Sequence, residues 1–351
     1  MRPPFLAAVL LGLAFPVRSS SVRTADAIAF AVPAGASVEK KFTLEHALTV
    51  QTVQLAGQEA APLSQQGLEV SSKVEISALD AYRKVEGGRP LELQRLFKNA
   101  SLHVDLTTTD ATGQKSPDSA DAESPLQKKS AIFTWVPEEK TYGRYYDDVE
   151  SLEEYLAGLS EDLDLRCLLP DHAVETGGAW TIEPARLVDV FAPGGDVPFG
   201  FVKGGGGTFA HILTAGVGGP LHAVFEGTAK GKVEARWTET REVEGVRLAV
   251  VELAIAIETQ AEHSAAPGAA STTDEAADPT TVEHSGIHWK FDGSGTLLWN
   301  LAAGRFESLE LVGREEVSSD LTLDIGPDKS RQVLTMAGSL KVGARAAPKS
   351  K

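Results

Sequence analysis

The sequence predicts a mainly β protein of the α+β kind: an antiparallel, strongly curved sheet or partial barrel, with one or two short helices between two strand-rich halves. A β-sandwich is the alternative. Three observations carry this prediction. Apolar residues alternate with polar ones over most of the chain, glycine-centred turns separate the alternating runs, and only two stretches show helical spacing. Strand runs joined by short turns imply antiparallel pairing, and the few helices then have one face of the sheet to cover.

In chain order, Phe42, Leu44, Leu48 and Val50 alternate with Lys41, Thr43, Glu45 and Thr49, and Leu68, Val70, Val74 and Ile76 repeat the pattern. Glu86-Gly87-Gly88 supplies a turn, and Leu91, Leu93, Leu102, Val104 and Leu106 return as one or two strands. Residues 107–129 are Thr, Asp, Ser, Pro and Lys with almost no apolar content, so they read as a disordered insert. Strand character resumes at Ile132 to Val136. Ser151-Leu152-Glu153-Glu154 has the form of a capping box, and Leu152, Tyr155, Leu156 and Leu159 follow at helical spacing. A second helix is expected from Pro184, with Ala185, Leu187, Val188 and Phe191 inward, ended by Pro193-Gly194-Gly195.

Beyond it, Val233, Ala235 and Trp237 alternate, Glu244-Gly245 turns the chain, and Val246 to Ile257 is apolar on both faces for part of its length, as a central strand is. Ile287, Trp289 and Phe291 run into Gly293-Ser294-Gly295, and Leu297, Trp299 and Leu301 read as the return arm of a hairpin. Two further strands pass through Val317, Leu321, Leu323 and Ile325, and through Leu334, Met336, Leu340 and Val342. Residues 262–283 read as a second disordered insert and 344–351 as a disordered tail. The expected organisation is thus a signal peptide (1–19) followed by a single β-rich domain (20–343). That domain could equally be two packed halves, about 30–148 and 192–343, joined by the helical segment 149–191.

The leader expectation rests on Met1-Arg2 followed by an uncharged run from Phe5 to Phe15, the size of a signal h-region and too short to span a bilayer. Pro16 and Arg18 end the run, and Val17 and Ser19 suit a cut after Ser19. No cysteine follows it, so the expectation is a soluble periplasmic or secreted protein without a lipid anchor or transmembrane anchor. Cys167 is the single cysteine, which leaves no internal disulfide. The formal charge of −16 becomes about −18 without the leader, a poor match for nucleic acid, whose recognition needs clustered Lys and Arg.

No motif carries chemistry in its spacing. Lys203-Gly204-Gly205-Gly206-Gly207-Thr208 lacks the Gly-Lys-Ser/Thr ending of a phosphate loop, and Gly227 to Val233 is one residue short and lacks the hydroxyl. His284 and His288 lie four apart, but in an extended chain that is about 13 Å, too far to share an ion. Cys167, Asp171 and His172 are neighbours in sequence, yet Leu165-Arg166-Cys167-Leu168-Leu169 reads as a buried small apolar position. Ten acids between Glu138 and Asp164 lack the ligand alternation and turn glycine of a calcium loop, and read as a solvated helix face. Trp135, Trp180, Trp237, Trp289 and Trp299 sit mostly within strand patterns and read as core. Catalytic residues are therefore unassigned, and neither a cofactor nor a metal is expected.

Glu86-Gly87-Gly88-Arg89-Pro90, Gly177-Gly178-Ala179-Trp180 before a Pro-started helix, and Gly295-Thr296-Leu297-Leu298-Trp299 in the late hairpins, all behind an export signal, resemble uncharacterised exported β-sheet proteins of bacteria. The resemblance implies no catalytic residues. The functional expectation is an exported, non-enzymatic binding or cell-envelope protein, holding an apolar or lipid-like small molecule in the concavity of its sheet or docking an envelope protein. An extracellular hydrolase using clustered carboxylates is one alternative, and a structural or protein-interaction subunit the other.

Overall fold

The computed structural model describes residues 27–55, 58–59, 67–147, 153–203, 221–225, 227–264, 281–325 and 328–349. The expected leader 1–19, Ser151 and Leu152, the glycine run 204–207 and residues 265–280 of the second insert lie outside them. The described chain forms one antiparallel sheet of fourteen strands. These are β1 (Ser37–Leu55), β2 (Gln58–Glu59), β3 (Leu68–Glu86), β4 (Arg89–Thr109), β5 (Lys115–Glu123), β6 (Ser130–Val136), β7 (Thr141–Tyr146), β8 (Ala179–Thr181), β9 (Gly200–Lys203), β10 (Thr228–Val243), β11 (Val246–Ser264), β12 (Thr281–Asn300), β13 (Arg305–Ile325) and β14 (Asp328–Pro348). The main path runs β7-β6-β4-β3-β1-β14-β13-β12-β11-β10-β8 and does not close on itself. The curved antiparallel sheet with few helices is thus the observed fold.

The alternation dictates which face is covered. In β1, Val38, Phe42, Leu44, Leu48 and Val50 are buried, as are Val70, Val74 and Ile76 in β3 and Trp289, Phe291, Leu297 and Trp299 in β12. Polar neighbours point the other way. The two strand-rich halves meet where β1 pairs β14, from Val38 with Pro348 to Leu55 with Gln332, so they share one sheet. A 3₁₀ turn at Glu153–Leu156, another at Arg166–Leu168 and a turn of helix at Val188–Phe191 belong to an irregular segment packed on the covered face. Leu159, Leu163, Leu165, Leu168, Leu187, Val190 and Phe191 of that segment are all fully buried. Phe191 packs edge-on against Trp289 and Phe291, with ring centroids 5.0 and 5.1 Å away, and stacks on Phe225 at 5.9 Å.

Several expectations are corrected. Residues 107–129 are not a disordered insert: β4 runs to Thr109, β5 occupies 115–123, and the turn after it buries Leu126. Polar composition hid β5 because its contribution to the core is only Ala120 and Ala122, and the rest is held by backbone pairing with β4 and, at 121–123, with β9. Likewise 262–264 and 281–283 are strand, and the tail expected at 344–351 continues β14 to Pro348 with Ala344 and Ala346 buried. Gly293-Ser294-Gly295 is no hairpin turn but the middle of β12, and the chain reverses at 301–304 instead. A Cβ on Gly293 would sit 2.5 Å from Phe291 Cζ and 2.6 Å from the Val312 carbonyl oxygen, so glycine there serves close packing. Gly87 and Gly88 do make the expected turn, with φ of 56° and 73°.

The first helix is reduced to the 3₁₀ turn at Glu153–Leu156, with Leu156 and Leu159 buried. The second begins as expected with Pro184 at its first turn, but Leu187, Val190 and Phe191 face inward while Ala185 is exposed.

Candidate functional site

On β1, β3 and β4, three inward positions carry charge where the alternation calls for an apolar residue. Lys40 lies between Val38 and Phe42, Asp80 between Ala78 and Tyr82, and Arg95 between Leu93 and Phe97, each 2% exposed or less. Asp80 and Arg95 are direct cross-strand partners. Arg95 Nε donates to Asp80 Oδ1 at 2.8 Å and Nη2 to Oδ2 at 2.9 Å, the forked geometry that makes arginine the strongest carboxylate partner. Lys40 Nζ donates to Asp80 Oδ2 and reaches Asp164 Oδ1, both at 2.7 Å. Tyr82 donates its hydroxyl to Asp164 Oδ1 at 2.6 Å.

These groups hold the irregular segment in place. Arg95 also donates to the carbonyls of Ser160 (2.8 Å) and Glu161 (2.7 Å), so the sheet binds the backbone that presents the next side chains. Arg166 pairs with Glu161 and, through Nε at 3.2 Å, with Asp162. Asp162 further accepts from the backbone N–H groups of Asp164 (2.8 Å) and Cys167 (3.2 Å). Ser160 donates to Asp189 at 2.6 Å. Leu165, between Asp164 and Arg166, takes φ 56° and ψ 30°, a left-handed conformation costing a leucine roughly 1–2 kcal/mol, and its side chain is fully buried.

The result is a pocket of about 340 Å³ whose walls include Arg144, Ser160, Glu161, Asp162, Arg166, Asp189 and His222. Burial pushes Glu161 up to about 7 against the pull of Arg166, and burial with the charge of Asp162 pushes Asp189 up to about 7. Burial also raises the Asp80 carboxyl, but Arg95 and Lys40 outweigh it and hold that group below its ordinary value. Asp162 is held down in the same way, chiefly by Arg166.

Because folded Glu161 and Asp189 bind protons more tightly than the unfolded chain does, their contribution to stability is complete below about pH 4 and is lost as pH rises through about 7. Asp80 acts oppositely, and its contribution is lost as pH falls below about 4. The urea midpoint, measured in chelator, is therefore expected to fall from pH 5.5 to pH 8. Each carboxyl adds a slope approaching about 1.4 kcal/mol per pH unit. A Glu161→Gln, Asp189→Asn double variant should flatten that slope, and an unchanged slope would contradict the assignment.

The structure separates the other candidates. Cys167 is buried, its thiol pushed up by burial and the nearby Asp162 and Asp189, whereas Asp171 and His172 are exposed, so those three form no nucleophile-base set. His288 sits on β12 with its ring 3.7 Å from Glu258, and the side chain of His284 lies outside the described residues. The acids between 138 and 164 are not one solvated helix face. Glu138, Glu139 and Asp147 are exposed, while Glu161 and Asp164 are buried in ion pairs. Trp180, Trp237, Trp289 and Trp299 are core, and Trp135 meets Tyr142 edge-on with the Arg89 guanidinium over its ring. A groove of about 1020 Å³ lies across the solvent face and includes Thr43, Glu45, Glu234, Glu252 and Glu310. On the covered apolar face the chain's own Phe191 packs against Trp289 and Phe291.

No described helix is long and apolar enough to cross a membrane. No family model and no curated protein matches the chain. Among solved structures, an outer membrane channel from Pseudomonas putida F1 aligns over 91% of this chain and 97% of its own, at 9% identity and a TM-score of 0.21. The transport unit of the autotransporter AIDA-I from Escherichia coli aligns over 89% and 90%, at 8% identity and a TM-score of 0.24. Likeness of that size carries no argument about this chain's fold, location or activity.

Proposed function

We propose that this protein is an exported, envelope-associated binding protein that takes a small cation-bearing ligand in the pocket formed by Ser160, Glu161, Asp162 and Asp189. The observation that carries the reading is the convergence of three carboxylates on one small pocket that the sheet holds rigid through Arg95. A pocket is recognised as a binding site by a few convergent polar groups on a fixed frame. Export rests on the Met1 to Ser19 pattern. An apolar ligand is disfavoured, because it would have to displace side chains already packed against Trp289 and Phe291.

The test is thermal stability of the mature chain against choline, putrescine, lysine methyl ester, Zn²⁺, glucose and palmitate. At least one cation should raise the Tm, as expected for any ligand that binds only the folded state, by an amount equivalent to about 2.7 kcal/mol at a hundredfold excess over Kd. The shift should vanish in Glu161→Gln and Asp189→Asn. Stabilisation by palmitate alone, or by none of the cations, would overturn the reading. Convergent carboxylates are also what a polymer hydrolase requires, and release of chromophore from nitrophenyl glycosides, lost in the same variants, would replace binding by turnover.

A further inference from the structure

We propose that Asp162, Cys167 and Asp189 form the binding centre for a borderline divalent cation of the Zn²⁺ class, an inference that rests on reading the pocket as a cation site. One carboxylate oxygen from each aspartate and the Cys167 sulfur all lie within 4.8 Å of one another. Ligand atoms around a tetrahedral zinc ion stand about 3.3–3.8 Å apart, so closing on an ion asks for small side-chain shifts. The three donors come from the loop before the Arg166–Leu168 turn, from that turn, and from the helical turn Val188–Phe191. An ion there would therefore tie together pieces of chain that are otherwise joined by side-chain hydrogen bonds.

A second observation points to a ligand. Glu161 spends one oxygen on Arg166, while the other, Oε1, is buried without any hydrogen-bond partner in a side chain only 2% exposed, on the wall of the pocket that Asp162 and Asp189 also line. A buried acceptor left bare costs about 1–3 kcal/mol, more when charged, and a cation or its bound water would satisfy it.

The donor types select the ion. Calcium and magnesium take oxygen shells, and a sulfur ligand favours zinc and its neighbours. The supporting contacts are those of a built metal site: Ser160 orients Asp189, and Arg166 with two backbone N–H groups orients Asp162. On binding, the ion replaces the proton of the Cys167 thiol, which leaves to solvent, and the S–H bond gives way to a metal–thiolate bond.

The mature chain, freed of metal by chelator and then dialysed, is titrated with Co²⁺. One equivalent should produce a thiolate-to-cobalt charge-transfer band with the visible absorption of a tetrahedral ion, and Zn²⁺ should displace it. Cys167→Ser should abolish the band, and Asp189→Asn should weaken Zn²⁺ affinity at least about tenfold. Asp171→Asn, on the surface, should leave both unchanged. X-ray absorption of the zinc form gives a check that needs no variant: one sulfur at about 2.3 Å is expected. An all-oxygen shell, or a folded chain that gives no charge-transfer band, overturns the proposal. If choline or putrescine stabilises the chain while cobalt gives no band, the cation pocket stands and the metal centre falls.

Discussion

Arg95→Leu should lower the free energy of folding by about 3–5 kcal/mol, because it removes one partner from a buried ion pair and leaves the other charged. Arg95 has no exposed surface, and its guanidinium donates to both oxygens of Asp80 and to two carbonyls of the irregular segment. Leucine fills much of the volume but leaves Asp80 with Lys40 alone and strips the Ser160 and Glu161 carbonyls of their donor. The expected readout is a lower urea midpoint with an unchanged denaturant slope. Adding Asp80→Leu should recover part of the loss, since paired removal of both charges is far cheaper than removal of one. A single-variant loss under about 1 kcal/mol would mean that Asp80 is not as desolvated as its geometry requires.

Trp289→Ala should cost a similar amount, about 3–5 kcal/mol, through the cavity it leaves. Its ring is fully buried, with Phe191, Phe225 and Phe291 at centroid distances of 5.0, 5.8 and 5.8 Å. Its indole N–H donates to Glu315 Oε2 at 3.1 Å, and Glu315 also meets His46 Nδ1 at 2.9 Å. Truncation therefore both opens the aromatic cluster and strips a buried carboxylate of a donor. Trp289→Phe keeps the ring contacts and loses the hydrogen bond, so its cost should be nearer 1–3 kcal/mol. Thermal unfolding of the two variants side by side separates packing from hydrogen bonding. Equal losses would show that Glu315 sets the energetics and the cavity does not.

The strands were legible because one covered face imposes a period of two, and that period survives in Phe42 to Val50 and in Ile287 to Leu297. It misled where glycine interrupted it. Gly293 and Gly295 keep the inward phase of β12, yet lacking side chains they look like a turn. Strand β5 was hidden for the opposite reason, since pairing needs only backbone, and Pro117, Asp118 and Ser119 carry no apolar mark. The pocket left one signal in the sequence: Lys40, Asp80 and Arg95 stand in phase with buried neighbours, and three buried charges on adjacent strands need partners. Asp189 and Glu161 left none, because their burial comes from an irregular segment whose path no periodicity encodes.

The pairing of β1 with β14 has a temporal consequence. Thr43 lies opposite Gly343, 300 positions further along the chain, so the seam that unites the sheet cannot form until nearly the whole polypeptide is present. Contacts this distant in sequence make folding slow, since loop closure must precede any reward. A chain emerging from its N-terminus would have β1 paired with β3 on one edge and open on the other until the last strand arrives. The seam between the two ends of the chain is thus the last part of the sheet to be completed.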